Sequence, residues 1–122
     1  MKLHASRPSG INTITGYGEG YVMVNGERRS ANLVVLPDRL EPWSAKGFDQ
    51  LSAADFGFLK TLGAEIVLLG TGARQRFPHP RLSAELAQAG IGLEIMDLQA
   101  ACRTYNILVA EERKVAAALL FE

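Results

Sequence analysis

Residues 65–97 read EIVLLGTGARQRFPHPRLSAELAQAGIGLEIMD. The stretch 65–69 is, from Ile66 on, a continuous apolar run of the kind found in strands buried on both faces, and such strands are usually parallel. Over 82–89, Leu82, Leu86 and Ala89 recur at helical spacing, Gly90 closes the helix, and 91–96 forms the next strand. The order is therefore strand, helix, strand. A crossover of this kind should be right-handed, which makes the two strands parallel neighbours with their carboxyl ends on one edge. Gly70, Thr71, Gly72 and Asp97 are then expected on that edge, and the fold class is α/β around a mixed sheet.

Beyond this unit, Asp97 can cap a helix on which Leu98, Ala101, Cys102, Tyr105, Leu108 and Val109 form one apolar stripe. The run 115–121 is apolar without a break. Its position after a helix and a charged turn predicts a final buried strand, although its alanines also permit helix. On the amino-terminal side, Ser52 is placed as N-cap with Asp55 at the third helical position, and Leu51 faces Phe56 as a hydrophobic staple. The spacing predicts a helix from 53 to about 62, with Gly63 as its left-handed stop.

The first third of the chain carries β-branched and aromatic residues over 14–17, 21–24 and 28–36, and Asn25-Gly26 is a strong two-residue hairpin signal. An antiparallel N-terminal β-hairpin layer is expected. Gly16, Gly18 and Gly20 give an apparent G-x-G-x-G, but no helical pattern follows, so they read as bulge or turn glycines. The segment 37–43, PDRLEPW, reads as a proline-bounded loop.

The chain has 122 residues, 48% hydrophobic and 21% charged, with thirteen basic residues against thirteen acidic ones. At this length a globule buries roughly two thirds of its unfolded surface, enough for one core, and no linker is long enough to separate domains, so a single domain over 1–122 is expected. The even charge balance supplies no bulk attraction to nucleic acid or anionic lipid. Cys102 is the only cysteine, which excludes an internal disulfide, and the two histidines, His4 and His79, do not stand at metal-ligand spacing. No metal or cofactor is implied. The opening MKLHASRPSG lacks the apolar core of a secretory signal, and no run approaches the length that spans a bilayer. A cytoplasmic location without membrane insertion is expected.

Gly70-Thr71-Gly72 followed by Arg74 and Arg76 suggests a phosphate site, because glycines let backbone N–H groups approach an anion and arginines add charge-assisted bonds. Two details oppose a nucleotide motif: Gln75 stands where a dinucleotide fingerprint has its third glycine, and Pro78 and Pro80 delay the next helix. The alternative is that Gly70 and Gly72 turn the chain off a strand while the arginines face water. The candidate ligand or partner residues are Gly70, Thr71, Gly72, Arg74, Arg76, Asp97 and Asn106, the last at the edge of the helical stripe beside Cys102. His79 has no nucleophile or orienting partner nearby in sequence, so it reads as a loop residue. Cys102 reads as a small core hydrophobe, and Trp43 and Tyr105 as core aromatics. No catalytic residue is identified.

The order and spacing of GYGEG, the NG hairpin, the PW after the third strand, IVLLGTG and the run IMDLQAACRTYNILVAEERKVAAALL resemble the complex I assembly factor 3-like family. This is a small family of unknown biochemical function with mitochondrial members in animals. Met96, Asp97, Ala101, Tyr105, Asn106, Leu108, Glu111 and Arg113 match its pattern. Where many members have Asp-Thr at the start of the last helix, this chain has Asp97-Leu98, which removes a hydroxyl from that edge.

The resemblance implies a three-layer α/β fold with an added N-terminal β layer and a final antiparallel strand. It also implies a non-enzymatic assembly or interaction domain whose partners are proteins, respiratory-complex subunits among them. The reading set against it is a binder or enzyme for an anionic small molecule or nucleotide, using the 70–76 loop as its pocket.

Overall fold

The computed structural model describes residues 10–122, so His4 lies outside the described residues. Three strands, β1 (Ile14–Gly18), β2 (Tyr21–Val24) and β3 (Glu27–Arg29), form an antiparallel sheet in the order β1-β2-β3. The β2–β3 connection is Asn25-Gly26, and both residues have positive φ, 52° and 82°, the conformation whose twist matches the flanking strands. The pairing of β1 with β2 shifts register between Ile14 and Gly16, and Gly20 turns the chain at φ 76°. The glycines of GYGEG therefore serve a bulge and a turn.

A second sheet contains β4 (Leu33–Leu36), β5 (Arg39–Pro42), β6 (Ile66–Gly70), β7 (Gly92–Met96) and β8 (Val115–Leu119), in the order β5-β4-β8-β6-β7. β6 pairs parallel with both β7 and β8, whereas β4 pairs antiparallel with both β5 and β8. The final strand thus joins the parallel and antiparallel halves. Its sequence, VAAAL, suits the middle of the sheet because small side chains let helices approach both faces; all five residues are buried.

The faces separate cleanly by alternation. Val34, Leu36, Val67, Leu69, Ala116 and Ala118 pack with Phe56 and Leu59 of α1 (Ala53–Lys60) and Leu86 of α2 (Ala84–Gln88). Leu33, Val35, Leu68, Ala117 and Leu119 pack on the other face with Ala101, Cys102 and Tyr105 of α3 (Leu98–Ala110), together with Ile14, Tyr17 and Val22 of the small sheet. Helices on both sides of the mixed sheet make the three layers, and the small sheet is added on the α3 side.

Helix α1 begins as its sequence predicts. Ser52 accepts from the Asp55 N–H, the Asp55 side chain accepts from the Ser52 N–H, and Gly63 follows the helix at φ 80°.

Two expectations change. The run 28–36 is not one strand: β3 ends at Arg29 and β4 begins at Leu33 in the other sheet. Asn32 fixes the new direction, since its Nδ2 donates to Ala45 O (2.8 Å) and its Oδ1 accepts from the Phe121 N–H (2.9 Å). The segment 37–43 is not a loop throughout, because β5 occupies Arg39–Pro42 and only Pro37-Asp38 turn the chain. Pro42 is tolerated because β5 is an edge strand.

Candidate functional site

β6 and β7 end side by side, Gly70 paired with Met96, and the residues that follow them converge at this edge of the sheet. Gly70 is small for packing reasons. A Cβ there would lie 3.1 Å from both the Ala101 Cβ and the Leu119 Cδ2, so its absence lets α3 sit close on β6. Gly72 has φ 86°, and a Cβ would collide with the Glu122 carbonyl.

Between these glycines, Thr71 is fully buried. Its hydroxyl donates to Arg74 O (2.7 Å) and accepts from the Arg76 N–H (3.1 Å), closing the loop on itself.

The loop is also tied to its surroundings. The Thr71 N–H donates to Met96 O, the Ala73 N–H to Glu122 O, and the Leu98 N–H to Gly72 O. Arg76 Nη2 donates to Glu122 Oε1 (2.6 Å) and to Thr71 O (3.2 Å), and its guanidinium lies over the Phe48 ring, 4.5 Å from the centroid. Arg76 Nε is buried without a hydrogen-bond partner among the described residues.

Asp97 Oδ1 accepts from the Ala100 N–H (2.8 Å), capping α3. The amides and the cation that would hold a phosphate are thus largely engaged by the protein itself. Arg74, exposed, has no ion-pair partner among the described residues.

Gly70, Thr71, Gly72, Arg74, Arg76 and Asp97 are therefore brought together, and Asn106 is not. Asn106 lies nine residues beyond Asp97, about 13 Å along the helix axis. It binds the backbone of Ile14 instead, with Nδ2 donating to Ile14 O (2.7 Å) and Oδ1 accepting from the Ile14 N–H (2.9 Å).

Phe48, Phe121 and Glu122 join the site through contacts remote along the chain, which no local sequence signal marks. The 18–20 glycine turn, expected only as a structural element, also reaches this edge.

A cleft of about 460 Å³ opens where the Gly18-Glu19-Gly20 turn faces Gly72, Asp97 and Glu122. Its volume falls in the range of small-molecule sites. Among the described residues its charged lining side chains are the carboxylates Glu19, Asp97 and Glu122, the last paired with Arg76, an arrangement that does not favour an anionic ligand. A larger cleft of about 530 Å³ lies at the other end of the parallel strands, between Leu36, Leu62, Val109 and Val115. On its rim Arg39 pairs with Asp38 and Glu41, and Arg113 with Glu65.

His79 is exposed, and its Nδ1 accepts from the Arg81 N–H (3.1 Å) at the start of a short 3-10 turn. Cys102 is fully buried, and burial pushes its thiol up to about 12. Tyr105 is also raised, chiefly by burial, and its hydroxyl donates to Asn12 O (2.9 Å). Among the described residues no cluster of His, Cys, Asp and Glu is placed to hold a metal, and no helix is long and apolar enough to cross a membrane.

A family model described as "Protein of unknown function (DUF498/DUF598)" matches residues 14–120. The chain belongs to this family. The DUF498/DUF598 match thus extends from the first residue of β1 to just beyond β8.

Among its relatives is an uncharacterised protein of Rhodobacter capsulatus, 35% identical over 114 residues, covering 92% of this chain and 86% of that one. Another is the Danio rerio protein named NADH dehydrogenase [ubiquinone] 1 alpha subcomplex assembly factor 3. It is 33% identical over 99 residues, or 80% of this chain, which spans 57% of the Danio rerio protein's length. A crystal structure of a Bordetella parapertussis protein matches with a TM-score of 0.88 at 38% identity, covering 95% of this chain and all of the other.

Proposed function

We propose that this DUF498/DUF598 chain is a non-enzymatic assembly or interaction domain that binds protein subunits of a respiratory-chain complex during its construction, acting from the cytoplasm. The observation that carries the reading is its 33% identity, over 80% of its length, with an animal protein named as an NADH dehydrogenase assembly factor. The geometry supports it. Thr71, Arg76 and Asp97 are engaged in holding the edge together, so the loop is a braced platform. From that platform Arg74 and Phe77 project, Phe77 being 68% exposed. An arginine and an aromatic on a fixed support are the residue types that dominate binding at protein interfaces.

The test is capture of the tagged protein from detergent-solubilised membranes of its source, with complex I subunits quantified against an Arg74→Ala, Phe77→Ala double variant. Selective recovery of those subunits, lost with the variant, is the expected result. Recovery equal to that of a tag-only control would overturn the reading.

The 460 Å³ cleft favours a second reading, in which the same edge binds a small molecule. Its three carboxylates suit an amine better than a phosphate, which places the nucleotide version of that reading last.

A further inference from the structure

The five-stranded sheet ends on β7, and hydrogen bonding fixes the direction of that strand's backbone groups. The Gly92 N–H donates to Glu65 O, and Met96 O accepts from the Thr71 N–H, so both residues face β6. Alternate residues of a parallel strand bond the same neighbour, which turns Glu94 toward β6 as well and turns the N–H and C=O of Leu93 and Ile95 outward. Gln75 reports the same direction, because its Nε2 donates to Ile95 O (2.8 Å) from outside the sheet.

Among the described residues no strand lies beside the Leu93 N–H and C=O or the Ile95 N–H. Leu93, Ile95 and Met96 are half-buried and Glu94 is exposed, whereas β6 and β8 are almost entirely buried. Phe77, also exposed, stands two residues beyond the anchored Gln75, a span of at most about 7 Å of chain.

An open edge invites either a second copy or a different chain, and Glu94 discriminates between them. Antiparallel pairing of β7 with itself about its midpoint sets Glu94 opposite Glu94. The flanking Leu93 and Ile95 would make the hydrogen-bonded pairs, so the two carboxylates would meet at the closer, non-bonded position. The Gln75 amide occupies the Ile95 carbonyl, which a strand of either origin would have to share or displace, so it does not separate the two occupants. A strand with lysine or arginine at that position makes an attractive pair instead. Its neighbours on either side would fall on the face of Leu93 and Ile95, where apolar side chains fit.

We propose that the outer edge of β7 docks an extended segment of a partner protein, with a basic residue opposite Glu94 and apolar residues on either side of it. This deepens the interaction reading and rests on it.

The test uses the full chain, isotope-labelled, with two short synthetic Thr/Val peptides that differ only in a central Val-Lys-Val or Val-Glu-Val. The lysine peptide is expected to shift the Leu93 and Ile95 amide resonances saturably and slow their hydrogen exchange. It should bind roughly fivefold to tenfold more tightly than the glutamate peptide. Glu94→Lys, at an exposed position, should reverse that preference.

Shifts confined to other residues, a preference indifferent to Glu94→Lys, or no binding by either peptide would overturn the proposal. So would Leu93 and Ile95 signals that move with protein concentration alone, which would give the edge to a second copy. Peptide docking without capture of respiratory-complex subunits would uphold the edge and overturn the assembly reading; the reverse pair of results would do the opposite.

Discussion

Asn106 on α3 holds Ile14 on β1 by both of that residue's backbone groups, at 2.7 and 2.9 Å, across ninety-two positions of sequence. This clasp joins the small sheet to the helix that packs on the large one. Asn106→Leu should leave a buried N–H and a buried C=O without partners, at about 1–3 kcal/mol each. Urea unfolding monitored by circular dichroism should show a lower midpoint with an unchanged slope. A variant as stable as the parent would mean that the clasp is replaced by solvent.

Gly72 and Gly20 form a matched pair for testing the loop. Both have positive φ, but an added Cβ meets the Glu122 carbonyl at Gly72 and open space at Gly20. Gly20→Ala should cost about 1–2 kcal/mol for the left-handed conformation alone. Gly72→Ala should cost distinctly more and loosen the Ala73–Glu122 backbone bond. Thermal unfolding of the two variants side by side checks the order.

Nucleotides should leave the protein's thermal stability unchanged. A ligand at 100 times its dissociation constant would add about 2.7 kcal/mol, a shift that is easily read. Arg76 is tied to Glu122, and carboxylates line the cleft, so ATP, ADP and NAD should give none. A shift abolished by Arg74→Ala would restore the anion-binding reading.

Alkaline pH should destabilise the fold through Cys102 and Tyr105. Both groups have folded pKa values raised by burial, so in the unfolded chain they lose protons at lower pH than in the native one. Their contribution is intact below their unfolded values. For Cys102 it declines as pH rises above about 9 and is lost through about 12, with Tyr105 adding to the decline at the upper end. Cys102→Ala should flatten the part of this dependence nearest pH 9, measured as urea midpoint against pH. At neutral pH a thiol reagent should modify the native protein only as fast as it opens.

The elements legible in the sequence are those whose signals are local. Ser52 and Asp55 specify a cap within four residues, Asn25-Gly26 a turn within two, and the stripe on 98–109 one helix face. Each was found where expected. The break at 30–32 was not legible, because Asn32 redirects the chain by bonding Ala45 and Phe121, one of them eighty-nine residues away. β5 was hidden for a related reason: Pro37 and Pro42 look like loop punctuation until the strand is known to lie at a sheet edge.

The same division governs the candidate site. Sequence determined that a glycine turn leaves a buried strand beside Asp97, because apolar runs and helix punctuation fix the strand-helix-strand order. Whether Thr71, Arg76 and Asp97 face a ligand or one another depends on Glu122 and the α3 amides arriving beside them. Only the tertiary structure decided that. Hydrogen bonds act over about 3 Å, and which groups come within that reach is set by how the layers pack rather than by their spacing along the chain.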